Sequence, residues 1–247
     1  MKYDYHIHSE DSFDSRIIAE ELILKAISLQ YNEIAFTEHV DLLPEELALF
    51  GISSLSRYRA RITALQERFP QLKILCGIEI GDFHRVQNYA LELIKDLNFE
   101  IILGAVHILT DHTNVAIPLS QPLSEAQVRD YYEHNLALVT NCPIDVLAHL
   151  GVYKRYYPSI PDESAYLSTI EQIFATMIQR GIALEINYSA YRKNYPSHLP
   201  EPHLVDLYIS LGGNLFSIGS DSHHIDHFDD NRHKVPNYPS FRHFTSR

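Results

Sequence analysis

The chain has 247 residues, 45% of them hydrophobic, enough to bury one large core and within the size range of a single α/β barrel. Its formal net charge of −12, from 20 Lys and Arg against 32 Asp and Glu without a long basic run, argues against a nucleic-acid surface. No apolar run reaches the about eighteen residues that a membrane span needs, and the start lacks a basic-then-apolar leader, so a soluble, cytoplasmic protein without a membrane partner is expected.

A strand start at Lys2–Tyr5 runs through Asp4-Tyr5-His6-Ile7-His8-Ser9. Residues two apart on an extended backbone point to the same side, so His6 and His8 can converge on one metal ion. A helix is expected over Ile17–Leu29, with apolar residues at 18, 22, 26 and 29 on one face. The strand Glu33–Thr37 then runs into Glu38-His39, and a helix over Leu55–Phe69 turns Arg57, Arg59 and Arg61 outward. Lys73–Ile78 is a strand that delivers Glu79, followed by a helix over Val86–Leu97. Ile101–Val106 reaches His107, and Ser124-Glu125-Ala126-Gln127 is a capping-box start for a helix to about Thr140. Ile144–Ala148 reaches His149, and a helix over Glu163–Arg180 ends with Gly181 in the C′ position. The strand Ile182–Ile186 is followed by a helix over Leu204–Leu211, which begins after Pro200 and Pro202 and stops at Gly212-Gly213. Last, Asn214–Ser220 delivers Asp221-Ser222-His223, a second pair two residues apart. Cys76 and Cys142 sit in or beside apolar runs without a second thiol at zinc-ribbon spacing, which predicts buried free thiols and no disulfide.

Seven strands alternating with helices imply parallel pairing, and a parallel barrel carries its chemistry on the loops at the strands' carboxyl ends. One polar residue at a strand end is ordinary turn chemistry. Metal-capable residues at the same end of six of the seven strands point to a common site. Without repeats, low-complexity stretches or linkers, residues 1–247 read as one domain. The irregular segments Thr110–Pro122, Tyr153–Pro161 and Tyr188–Pro202 each follow a strand and are expected to contact substrate. Their Arg155 and Arg192 are candidates for a phosphate clamp, because guanidinium matches phosphate oxygens bidentately. Tyr153, Tyr156, Tyr157, Tyr188 and Tyr191 are expected to cover the barrel mouth.

His6-Ile7-His8, Thr37-Glu38-His39, Gly77-Ile78-Glu79, Gly104-Ala105-Val106-His107, Ala148-His149 and Ser220-Asp221-Ser222-His223 stand in a telling order. From residue 2 to about residue 223 the chain resembles the PHP (polymerase and histidinol phosphatase) superfamily, with its closer likeness to the histidinol-phosphatase type. The resemblance implies a distorted (β/α)7 barrel holding three divalent metal ions. His6, His8, Glu79 and Asp221 would surround the first. Glu79 would bridge to a second held by His107 and His149, and Asp14, His39 and His223 would take the third. Mixed nitrogen and oxygen donors suit zinc, manganese or iron without choosing among them. Three such ions outweigh the carboxylates of Asp14, Glu79 and Asp221, which would let an acidic protein accept a phosphomonoester dianion. A hydroxide bridging the ions would attack phosphorus in line, with no phosphoenzyme. Arg155 and Arg192 also resemble the family's phosphate-binding pair. Glu38 is a candidate to protonate the leaving oxygen or to orient a ligand, and Asp111 a candidate for the substrate's ammonium group. The remaining histidines, His84, His112, His134, His198, His203, His224, His227, His233 and His243, are expected at the surface or around the ligands.

What the resemblance implies is hydrolysis of L-histidinol phosphate to L-histidinol and phosphate, a step of histidine biosynthesis. The alternatives are a broader phosphoesterase of the same superfamily, acting on phosphotyrosine, nucleotides or phosphodiesters, and a catalytically inactive metal-binding module. His224–Arg247 departs from the family, because it is polar, contains prolines and lacks helical periodicity where a helix should close the barrel. A truncated or altered C-terminus would leave an apolar flank that a second copy of the chain could cover as a homodimer.

Overall fold

A near-continuous apolar run such as Ile101-Ile102-Leu103-Gly104-Ala105 suits a strand covered on both faces, which calls for a parallel sheet wrapped in helices. The computed structural model, which describes residues 2–44, 46–47, 54–238 and 244, has that form. Its strands are β1 (Tyr3–Ile7), β2 (Glu33–Asp41), β3 (Lys73–Gly81), β4 (Ile101–Ala105), β5 (Val146–Leu147), β6 (Ala183–Asn187) and β7 (Phe216–Gly219). All pair in parallel and in chain order. Just beyond β7, Asp221 N donates to His6 O at 2.8 Å and His8 N donates to Ser222 O at 3.0 Å, so β1 meets the exit of β7. The sheet is a distorted seven-stranded (β/α) barrel, as expected.

The helices are α1 (Ala19–Ser28), α2 (Leu55–Arg68), α3 (Phe83–Ile94), α4 (Glu125–Asn141), α5 (Leu167–Arg180) and α6 (Pro202–Ser210). Helix α1 buries Ala19, Leu22, Ile23 and Ala26, while Ile18, expected on the buried stripe, is an exposed N-cap. Ser124 and Gln127 form the capping box of α4, and Gly181 ends α5 at φ 68°, a conformation that costs glycine little. Two expectations fail at residues that local periodicity cannot place. Helix α3 starts at Phe83, because Asp82 adopts a left-handed conformation directly after β3 and Val86 marks a kink inside the helix. Arg61 does not face outward: it pairs with Glu10 and Asp11 and donates to Ser9 Oγ at 2.9 Å, tying α2 to the loop after β1.

No α-helix follows β7 among the described residues, yet the flank is not left open. The tail covers it with 3-10 turns at Ile225–His227 and Arg232–Lys234 and with buried aromatic groups. Phe228 packs on Tyr31 at 4.7 Å between ring centroids, Tyr238 stacks on Phe216 at 5.3 Å, and Phe244 meets Tyr5 edge-on at 5.1 Å. Aromatic rings bury large areas without needing helical periodicity. The expected open flank is therefore corrected, and with it the reason given for dimerisation. His243, expected at the surface or around the ligands, lies outside the described residues. Cys76 and Cys142 are buried and free. Among the described residues no helix is long and apolar enough to cross a membrane.

Candidate metal centre

The parallel register brings the strands' carboxyl ends together, and His39 on β2 lies directly beside Glu79 on β3. Alternation along β1 sends His6 and His8 to the same point. His6 Nε2 lies 3.4 Å from Glu79 Oε2 and 3.8 Å from Asp221 Oδ1, while His8 Nε2 lies 3.6 Å from each of those oxygens. The other oxygen of Glu79 faces His149 Nε2 at 2.8 Å and His107 Nε2 at 3.6 Å. A third group forms at the rim, where His39 Nε2 and His223 Nε2 are 3.3 Å apart and Asp14 reaches them at 3.7 and 3.2 Å. All nine residues expected as ligands converge. Asp11, the other acid of that loop, is occupied by Arg61.

The donor set fits metal ions. His6, His8 and Glu79 are fully buried, and His6 Nε2, His8 Nε2 and Glu79 Oε2 lack any hydrogen-bond partner. Buried polar atoms left unpaired are rare and costly, so three of them aimed at a common point call for a cation. Donor atoms within 4.8 Å of one another also group His8 with His39 and His223, and His39 with Asp41 and His107.

A layer of acceptors holds the imidazoles from behind. His6 Nδ1–H donates to Glu185 Oε1 at 2.7 Å, and His107 Nδ1–H donates to Asp41 Oδ1 at 3.1 Å. Each bond directs the Nε2 lone pair toward the centre. Glu185 also accepts from His149 N at 2.6 Å. Burial opposes charge on His6, but Glu185 and Glu79 outweigh it and hold the ring's pKa well above the usual value. For His39 the same contest, won by Asp41 and Glu79, raises the pKa to about 9. Burial also opposes ionisation of Glu79 and Asp221, yet the imidazoles, and Arg155 beside Asp221, keep both carboxyls well below their usual range. His8 goes the other way, pushed down by burial and then by His223 and His39. Negative groups at the centre and crowded rings around it are the electrostatics of a cation site.

Arg155 Nη1 donates to Asp221 Oδ2 at 3.0 Å, and Arg155 Nη2 donates to Ala116 O. Arg192 Nη2 donates to the carbonyls of Ser220 and Asp221 at 2.8 and 2.9 Å. Both side chains line, with all the candidate ligands except His6 and His8, a cleft of about 440 Å³, and Arg155 Nε and Arg192 Nη1 have no partner. Glu38 is different. It is buried away from that cleft and accepts from Ser9 N at 2.9 and 3.0 Å and from the Ser9 and Ser12 hydroxyls. No geometry supports its donating a proton to a leaving group. Ser12 Oγ lies 3.3 Å from His8 Nδ1 and accepts from His39 N at 3.0 Å, so Glu38 braces the loop that orients two ligands. Asp111 is exposed, bonded to Thr113 and Gln127, and does not line the cleft.

Tyr153 and Tyr188 are buried rather than covering the mouth, donating to Glu163 at 2.6 Å and Asp4 at 3.0 Å, whereas Tyr156 lines the cleft. Among the remaining histidines, His84 and His134 contact each other at 2.7 Å, His198 is buried against Pro200 O, and His227 reaches the cleft from the tail. His112, His203, His224 and His233 are exposed. Four acids were missed. Asp41 stands two residues beyond His39 on the same strand, the very spacing used for His6 and His8. Glu185 is a lone carboxylate inside an apolar strand. Asp82 accepts from Ile108 N at 3.0 Å and His107 N at 3.3 Å, and burial pushes its carboxyl up to about 6. Glu46 lines the cleft while 5% exposed, and burial followed by the charge of Asp41 raises it to about 8.

Comparison with known proteins agrees with this geometry. The sequence model of the PHP domain matches residues 4–189. A protein of Clostridium acetobutylicum named a probable histidinol-phosphatase is 28% identical over 233 residues, covering 92% of this chain and 88% of its own. The histidinol-phosphatase of Lactococcus lactis subsp. lactis is 29% identical over 233 residues, covering 90% and 84%. Among solved structures, the histidinol phosphate phosphatase of Lactococcus lactis subsp. lactis complexed with zinc, L-histidinol and phosphate superposes with a TM-score of 0.75 at 25% identity, covering 94% and 93%.

Proposed function

The chain belongs to the PHP domain family, and from that premise we propose that it is a metal-dependent phosphomonoesterase that hydrolyses L-histidinol phosphate to L-histidinol and phosphate. The observation that carries this reading is the convergence of buried, unpartnered His6 Nε2, His8 Nε2 and Glu79 Oε2 beside two arginines with donors to spare. The relatives' names and the ligands of the Lactococcus structure support the substrate. Zinc in that structure supports zinc here, and the same donors also suit manganese or iron.

His6, His8, Glu79 and Asp221 form the first ligand group in this reading, Glu79, His107 and His149 the second, and Asp14, His39 and His223 the third. Bound ions would supply Lewis acidity toward the phosphoryl oxygens and lower the pKa of water enough for attack at neutral pH. Glu185 and Asp41 keep the protons of His6 and His107 on Nδ1, so that each Nε2 stays free to ligate. Arg155 and Arg192 receive the phosphate, and the latter gives up no side-chain partner to do so, since its bonds are to backbone carbonyls. Glu38, through Ser12, acts on ligand orientation rather than on the leaving group.

The test is metal analysis of the purified protein together with phosphate release from L-histidinol phosphate, phosphotyrosine, nucleoside monophosphates and a phosphodiester. Preference for L-histidinol phosphate, abolished by a chelator and restored by zinc or manganese, is the expected result. A strong preference for nucleotides or diesters would point to the broader phosphoesterase. Fewer than two tightly held ions and no release from any substrate would point to the inactive module.

A further inference from the structure

The cleft has walls of opposite charge. Arg155 and Arg192 follow β5 and β6, whereas Glu46 follows β2, and in a closed ring of seven strands β2 stands across from β5 and β6. All three side chains line the one cleft, with ligands from β2, β3 and β4 among its other walls. Glu46 Oε2 is buried and has no hydrogen-bond partner. The charges that bear on it most strongly are Asp41 and Asp82, of its own sign, and the rings of His107 and His39. Those rings are already committed, His107 to Asp41 and Glu79 and His39 to Asp41, Glu79 and Asp14. A buried carboxyl oxygen without a partner is unfavourable, and Glu46 belongs to none of the groups of donor atoms close enough to share a metal ion. The arrangement becomes favourable when a cation arrives through the cleft.

We propose that Glu46 binds a positively charged group on the leaving alcohol, so that the substrate is an amino-alcohol phosphomonoester held as a zwitterion between Glu46 and the Arg155–Arg192 pair. The inference rests on the phosphomonoesterase reading and adds the residue that selects the alcohol. It fills the role that the sequence suggested for Asp111. A cleft of about 440 Å³ suits a molecule of that size. A neutral alcohol of the same shape would leave the Glu46 carboxyl group buried and unpaired, which is the strongest way for a site to reject an analogue.

The test compares the metal-loaded wild type with Glu46→Gln and Glu46→Asp, using L-histidinol phosphate and 3-phenylpropyl phosphate, whose alcohol carries no cationic group. The ratio of the two kcat/KM values is expected to fall by about tenfold or more in Glu46→Gln, mainly through the KM of the cationic substrate, with partial recovery in Glu46→Asp. Metal content is expected to match the wild type. An unaltered ratio, an equal loss on both substrates, or the loss of a bound ion, which would make Glu46 a ligand, overturns the inference. Should neither ester be hydrolysed by the wild type, the phosphatase reading fails and calorimetry with L-histidinol decides separately. Binding by the wild type that weakens by about tenfold or more in Glu46→Gln sustains the role of Glu46. Equal binding by both proteins, or none by either, removes it.

Discussion

Replacing Glu185 with Gln perturbs the metal centre without touching a ligand. The carboxylate uses Oε1 for His6 Nδ1–H and Oε2 for the backbone N–H of His149 and the side chain of Asn187, at 2.7, 2.6 and 3.1 Å. A glutamine of the same shape has one acceptor oxygen and one NH2 group. If the NH2 faces His6, the ring must move its proton to Nε2 and lose the lone pair that ligates. If the NH2 faces His149, two donors oppose each other in a buried site. The first outcome turns Nε2–H toward Glu79 in place of a ligating lone pair, and the second leaves a buried N–H unpaired at a cost of roughly 1–3 kcal/mol. Second-layer partners of ligating imidazoles are worth roughly ten- to a hundredfold in metal affinity, or about 1.4–2.7 kcal/mol. Chelator competition should therefore show zinc held about ten- to a hundredfold more weakly by Glu185→Gln, with phosphate release restored at high zinc. Wild-type affinity in the variant would refute the tautomer argument.

Four further substitutions probe the rest of the molecule. A Cβ at Gly219 would overlap Glu185 Oε1 and His6 Cβ, so Gly219→Ala should lower stability by about 1–3 kcal/mol and lose metal, read by thermal unfolding and metal analysis. Arg192→Ala should raise KM by about tenfold or more with metal content intact; Arg155→Ala should also weaken metal binding, because it frees Asp221. Wild-type KM in either variant would remove that arginine from the site. Lys154 is fully buried between Glu163 and Glu201, 2.7 Å from each, and Glu163→Gln should cost about 3 kcal/mol or more near neutral pH in urea unfolding. Burial opposes ionisation of Glu163, but Lys154 and two tyrosine hydroxyls outweigh it and depress its pKa. As pH falls below the ordinary glutamate value of about 4.3, the unfolded chain takes up the proton first. The stabilisation is therefore present above that value and lost as pH falls through the depressed one, so variant and wild type should converge in acid. A gap that stays constant with pH would show that Glu163 stabilises by packing alone.

Much of the fold and most of the candidate site were legible because they depend on local pattern. Apolar runs separated by amphipathic segments specify parallel strands and helices, and six of the seven runs lead to His6, His39, Glu79, His107, His149 or Asp221 because a barrel's open face lies at the carboxyl ends. The capping box at Ser124 and the stop at Gly181 are encoded within a few residues. What local pattern could not give was the partner of each polar group. Glu185 reaches His6 across 179 residues of sequence and Arg61 reaches Glu10 across 51, through contacts that exist only once the ring has closed. Glu38 and His39 are adjacent in sequence, yet strand alternation and the fold of the first loop send one to Ser9 and Ser12 and the other to the cleft. The tail makes the same point, because its aromatic residues have no periodicity and find their places on Tyr31, Phe216 and Tyr5 only after the barrel has formed. The sequence by itself determined the strands, their order of donors and the chemistry those donors can perform. The tertiary structure alone decided which carboxylate fixes which imidazole and which faces an incoming cation, since both depend on distances between segments that the chain pattern does not contain.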